Sequence, residues 1–152
     1  MSIARDAIYA ALLTRLQTQI GASAKTYTRR DLTFDQVSQD AQPAIAVVAV
    51  GDFTAIGQPP AMPAVHLLKA EVQVFVREVD GAPETSLLAI VDAIEAALER
   101  KATEAVNTPG AFYTTLGGLV RYARVAGEVE FYQGQKGRQA VALVPVEMLV
   151  AQ

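Results

Sequence analysis

At 152 residues the chain fits a single domain spanning 1–152, long enough to bury roughly 68–70% of its unfolded surface. With 51% hydrophobic and 19% charged residues it is too apolar for a disordered chain, and its net charge of -3 gives no global basic field of the kind a nucleic-acid binder carries. The absence of cysteine excludes a disulfide framework and thiolate chemistry. No run approaches the roughly 18 apolar residues that cross a bilayer, and Arg5, Asp6 and Arg15 interrupt the N-terminal apolar positions. A soluble protein of the cell interior, with no membrane partner, is the expectation.

The spacing predicts an amphipathic helix over residues 3–20. Ile8, Leu12, Leu16 and Ile20 recur four apart, and Gly21 is a natural stop. Residues 22–42 are polar and irregular, with an extended piece around Thr26 to Arg30. A strand at 44–50, Ala-Ile-Ala-Val-Val-Ala-Val, follows and is closed by Gly51-Asp52. The connection from Asp52 to Pro63 is rich in proline, yet it holds Phe53, Ile56 and Met62. The second strand, about 65–78, alternates: Leu68, Ala70, Val72, Val74 and Val76 on one face, Lys69, Glu71, Gln73 and Arg77 on the other. A turn at Asp80 to Pro83 leads into a second helix, roughly 84–101. Leu87, Val91, Ile94 and Leu98 form its stripe, and Arg100-Lys101 lie at the end where cations suit the helix dipole. After a connection over 102–118 comes a third strand, about 119–132, then a hairpin loop at Gln133 to Gly137 and a last strand, 139–150.

The order α-β-β-α-β-β predicts an α+β, two-layer sandwich: a mainly antiparallel four-stranded sheet, two helices on one face, and long loops. Such a sheet should be polar on its second face. The strands at 44–50 and 139–150 are not. In the last, Ala140, Ala142, Val144, Val146, Met148 and Val150 line one side while Val141, Leu143 and Leu149 occupy the other. Burying each Val or Leu is worth roughly 1.5–3 kcal/mol, so this surface needs a cover. The chain's own long loops supply one answer and a second subunit the other. Pro145 favours the second, because a strand proline is tolerated mainly at edges or bulges, and a free apolar edge invites pairing between chains. Aspartate at Val144 or Val146 should therefore wreck folding or assembly, and the same change at Gln73 should be nearly silent.

Sites for chemistry are sparse. His66 stands alone at a strand start without a patterned acidic partner, which marks it as structural. There is no G-x-S-x-G, no Walker-type glycine loop and no H-E-x-x-H, and Thr115-Leu116-Gly117-Gly118 reads as a tight turn before a strand. Glu128 and Glu130 share a strand face with Tyr122 and Arg124, as a solvated polar face would. Lys136, Arg138, Arg29 and Arg30 make small basic spots. No catalytic, cofactor or metal residues are assigned, and the chain is expected not to be an enzyme.

Several stretches, in order and spacing, carry a resemblance. The first helix ends in Leu16-Gln17; Thr28-Arg29-Arg30-Asp31-Leu32 follows, and Asp40-Ala41-Gln42-Pro43-Ala44 enters a strand. Thr115-Leu116-Gly117-Gly118-Leu119-Val120, Ala126-Gly127-Glu128-Val129 and Ala140 through Pro145-Val146 to Leu149-Val150 complete the set. Together they resemble the tail terminator, or tail completion, proteins of long-tailed bacteriophages and prophages (minor tail protein U-like). The resemblance runs over nearly the whole chain. It departs at Phe34, where a tryptophan before Asp35 is usual, and in the connections 52–63 and 102–115.

That resemblance implies a structural virion-assembly subunit without cofactors, forming a homo-oligomeric, hexameric ring. Such a ring sits on the head-proximal end of the tail tube, stops its polymerisation and offers the head-joining surface. Its implied partners are further copies of itself, the tail tube protein and a head-completion or connector protein. Its implied location is the virion tail, and the bacterial host cytoplasm during assembly. Candidate subunit or tube contacts are Phe53, Ile56, Met62, Val144, Val146 and Met148. Lys136, Arg138, Arg29 and Arg30 are candidates to face the lumen, where DNA would be touched without sequence preference. The alternatives are a head–tail connector or other minor tail subunit, and a small dimeric ligand-binding α+β domain.

Overall fold

The structure, a computed structural model, describes residues 3–33, 36–38, 41–55, 64–77, 83–104, 112–133 and 139–151. Helix α1 runs Arg5–Ile20 and ends on Gly21, whose φ of 62° places it in the left-handed region that only glycine enters cheaply. Strands β1 (Thr26–Thr28), β2 (Ala44–Ala55) and β3 (Val65–Arg77) follow. Then come α2 (Pro83–Ala97), β4 (Tyr122–Val125), β5 (Glu130–Gln133) and β6 (Gln139–Ala151).

The six strands form one mixed sheet, ordered β1-β2-β3-β6-β4, with β5 also pairing to β6. β1 joins β2 in parallel, and every other pair is antiparallel. The expected α+β class stands, but a four-stranded sheet in the order α-β-β-α-β-β does not. Three features account for the difference: the extended piece at Thr26–Thr28 joins the sheet as β1, and two local devices reshape the expected strands.

The first is a bulge. Gly51-Asp52 does not close the strand at 50; the register slips between Ala49 and Gly51, and β2 then keeps pairing with β3 out to Ala55 opposite Val65. Phe53 therefore stands on a strand rather than in a connection.

The second device splits the expected strand 119–132 into β4 and β5. Both lie along the same side of β6, at Val146–Leu149 and Ala140–Leu143, with a gap opposite Pro145. In a strand a residue's N–H and C=O point to the same side. The Pro145 carbonyl accepts from the Ala126 N–H at 3.0 Å, so the donor that proline lacks would face this same gap. Gly127, at φ 115°, turns the chain past the ring; a Cβ there would sit 3.2 Å from Pro145 Cγ. β6 is thus an interior strand, not an edge, and Pro145 is tolerated because its neighbour breaks where the donor is missing.

Both helices pack on one face over Ile45, Val47, Leu68, Val72, Val74, Val144, Val146 and Met148. Ile8, Leu12, Leu16 and Ile20 of α1 and Leu87, Ile90, Val91 and Ile94 of α2 close that core. Helix α2 ends at Ala97, earlier than the sequence pattern indicates, with no basic residue in its last turn. The cation comes from α1 instead. Arg15 donates to the carbonyls of Ala97 (2.7 Å) and Glu99 (2.8 Å), while Nη1 stands 2.6 Å from a Glu104 carboxylate oxygen. Burial alone would raise the Glu104 pKa, but the Lys101 N–H, the Thr114 hydroxyl and Arg15 outweigh it and hold the group below its ordinary value.

Candidate interaction surface

Direct pairing across the antiparallel strands sets residues of the uncovered face side by side in rows. At one end lies Ala44–Phe75–Val141–Tyr132, and next to it Ala46–Gln73–Leu143–Glu130. Val48–Glu71–Pro145 comes third. The far end has Gly51–Lys69–Glu147–Arg124 and then Phe53–Leu67–Leu149–Tyr122.

The chain covers the first end itself. Val37, Ala44 and Phe75 form a small second core with Leu32, Ala41 and Val141 packed against it. Gln73 fastens this segment. Its side-chain oxygen accepts the Leu32 N–H at 3.3 Å, and its amide donates to Asp31 at 2.9 Å and Glu71 at 3.1 Å. Only 7% exposed, Gln73 does not sit on a solvated face, so an aspartate there would not be silent. The extra apolar surface of this face is therefore only partly covered: a loop of this chain lies over one end, and at the other Phe53 stays exposed.

That other end is where Phe53 stands, 64% exposed, with Leu67 and Leu149 half-buried beside it. Four of the seven exposed large hydrophobics among the described residues lie on two strands, Val50 and Phe53 on β2 beyond its pairing with β1, and Phe131 and Tyr132 on β5. Val144, Val146 and Met148 lie on the opposite face, no more than 2% exposed beneath the helices. They hold the chain's own core and are out of reach of a neighbour. The β-period of β6 distinguishes its two faces; only the tertiary packing shows which of them the helices take. Ile56, Met62, Lys136 and Arg138 lie outside the described residues.

The polar groups of this face are mostly committed. One oxygen of Glu147, Oε1, takes Arg124 through Nε at 2.7 Å and Nη2 at 2.6 Å, with the Tyr122 hydroxyl at 3.4 Å. Lys69 is exposed and runs beside Gly51, its Cδ 3.8 Å from where a Cβ would stand. Although Lys69 pairs across the sheet with Glu147, that carboxylate is taken, and the Lys69 ammonium has no carboxylate partner among the described residues. A recess of about 210 Å³ opens between Val50 and the pair Glu128 and Glu130, floored by Leu143 and Pro145, with Glu71 on its wall. The Tyr132 hydroxyl donates to Glu130 at 3.1 Å. That bond first, then the Glu130 charge, with smaller contributions from burial, Glu128 and Glu71, hold the phenol above its ordinary pKa. The β5 side of the sheet is accordingly acidic.

Arg29 is less free than its sequence position indicates. It pairs with Asp6 at 2.8 Å and lies 5.6 Å from the Tyr9 ring centroid, which ties β1 to α1; Arg30 is exposed. His66 is buried, with Nδ1 3.0 Å from the Thr54 hydroxyl and 3.9 Å from Asp52, itself paired with Arg5. The β2–β3 hairpin supplies that acidic neighbour, which sequence spacing did not reveal. Residues 115–120 make the expected tight turn, the Gly118 and Val120 N–H groups both donating to the Thr115 carbonyl. A groove of about 320 Å³ between the end of α2 and the β4–β5 gap is lined by Glu95, Glu99, Phe112, Tyr113 and Val129. Among the described residues no group of three or more His, Cys, Asp or Glu is placed to hold a metal ion, and no helix is long and apolar enough to cross a membrane.

Fold and surface together define an α+β sandwich, helices on one face and a partly uncovered apolar sheet on the other. No protein-family model and no curated protein matches the sequence. Among solved structures, the fold is similar to that of a chain in the structure titled "Virion of native gene transfer agent (GTA) particle". The TM-score is 0.55 at 13% identity, over 99% of this chain and 100% of that one. At that identity the shared property is the fold alone.

Proposed function

We propose that this protein is a structural virion-assembly subunit: a tail terminator that forms a ring on the head-proximal end of a phage tail tube, stops tube polymerisation and presents the head-joining surface. The observation that carries this reading is the fold likeness, which spans nearly the whole of both chains rather than a shared fragment. The motif resemblance to tail terminators points the same way. So does the uncovered end of the sheet, which suits a protein that works among copies of itself and with a tube protein. On this reading the chain has no catalytic role, and its place is the virion tail.

The test is tube growth. Purified protein added to growing tail tubes should cap them at one end and hold their length; tubes that elongate as freely as without it would rule the terminator role out. A protein that leaves tubes growing but binds the head vertex would instead be a head–tail connector.

A further inference from the structure

We propose that copies of this chain join edge to edge, β5 of one copy adding as a further strand along Val47–Ala55 of the next. The idea rests on the ring reading above and supplies the ring with its contact.

The sheet ends in two unlike free edges. β1 covers β2 only at Ala44, Ile45 and Ala46, so from Val47 to Ala55 no described strand pairs with the outer side of β2. On the opposite margin β4 is partly covered, since the Ala123 N–H donates to the Thr114 carbonyl, whereas β5 pairs with β6 alone. Every second residue of such an edge turns its N–H and C=O outward, a template for another strand. Both edges also carry exposed apolar side chains: Val50 and Phe53 on one, Phe131 and Tyr132 on the other.

Charge then selects which edges meet. The β2 margin has Lys69 without a carboxylate partner among the described residues, beside the side-chain-free Gly51. The β5 margin has the exposed Glu128 and Glu130, whereas Glu71, opposite Val48 of β2, accepts from the Gln73 amide at 3.1 Å. Pairing β2 with β2 would set lysine near lysine, and pairing β5 with β5 would set the glutamates together. Pairing β5 with β2 brings opposite signs into contact. That contact uses two different patches of one molecule, so it is heterologous and repeats around a ring if the rotation closes.

Because the chain has no cysteine, cross-linking can be placed at will. Gly51→Cys, Phe53→Cys and Ala55→Cys are each combined with Tyr132→Cys in the full chain and treated with a short bis-maleimide. Within one copy these positions lie on different strands and at opposite ends of the paired register, and a link inside one copy would leave the product at monomer mass, so a ladder reports links between copies. At least one double variant should give a ladder that stops at a closed ring, and no single variant should cross-link. Cross-linking by a single variant would establish a like-with-like edge instead and overturn the proposal, as would the absence of any interchain product. As a second readout, Lys69→Glu and Glu130→Lys should each weaken self-association roughly tenfold, with the double exchange restoring it; failure of that rescue also counts against the contact. Rings that cap tubes but never cross-link would sink this edge contact and leave the terminator role standing. A closed ladder from protein that leaves tubes growing would do the reverse.

Discussion

Gly127→Ala tests the physical account of the broken strand. Gly127 has φ 115°, where a side chain is strained, and its Cβ would stand 3.2 Å from Cγ and 3.6 Å from Cβ of Pro145. Backbone strain of that kind costs about 1–3 kcal/mol. The contact lies inside the usual 3.5–4.0 Å separation of carbon atoms, and the proline ring has little freedom to yield. Together these give about 2–3 kcal/mol, or about 4–12 °C in Tm for a chain of this size. Gly51→Ala is the control. No positive φ applies there, and its new Cβ would meet Lys69 at ordinary distances of 3.8 and 3.9 Å, so stability should move by less than about 0.5 kcal/mol. Urea unfolding followed by circular dichroism, with unchanged m-values, measures both. Adding Pro145→Ala to Gly127→Ala should recover the contact part of the loss and leave the backbone part. Equal effects at the two glycines would refute the reasoning, because the gap between β4 and β5 would then owe nothing to Gly127 and Pro145.

Four further outcomes follow from particular contacts. Leu12→Ala, at a fully buried position of α1, should cost about 2–5 kcal/mol in the same unfolding experiment, since both sheet and helix line the cavity it leaves. Phe53→Ala, at 64% exposure, should leave stability within about 0.5 kcal/mol yet weaken self-association measured by sedimentation. Gln73→Ala should cost about 1–3 kcal/mol and speed hydrogen exchange at Leu32, whose N–H loses its acceptor. Glu104 gives a pH signature. Its folded pKa is lowered, so its contribution is present above the unfolded value and is lost as pH falls through the folded one. Glu104→Gln should therefore be destabilising at neutral pH, with the gap to the parent chain closing in the acid range below ordinary carboxylate titration; a gap that widens on acidification would reverse the sign.

Periodicity alone determined which residues of the two helices and of β3 form the apolar core face. Ile8, Leu12, Leu16 and Ile20, the stripe of α2, and Leu68, Ala70, Val72, Val74 and Val76 of β3 are all buried, because an apolar repeat of 3.6 or 2 is hidden by turning one face inward once the element forms. The excess of apolar strand surface was legible too. Its destination was not. Val144, Val146 and Met148 present the same alternation whether helices or a neighbour cover them, and only packing assigned them to the core. Gln73 shows the converse: a polar residue at a polar position, buried because a distant loop folds back to meet its amide. Gly51 read as a stop, although a bulge lets a strand continue past it, and Pro145 read as an edge, although a gap in the next strand serves as well. In each case the sequence carries the local preference, while partners far along the chain choose among the structures that satisfy it.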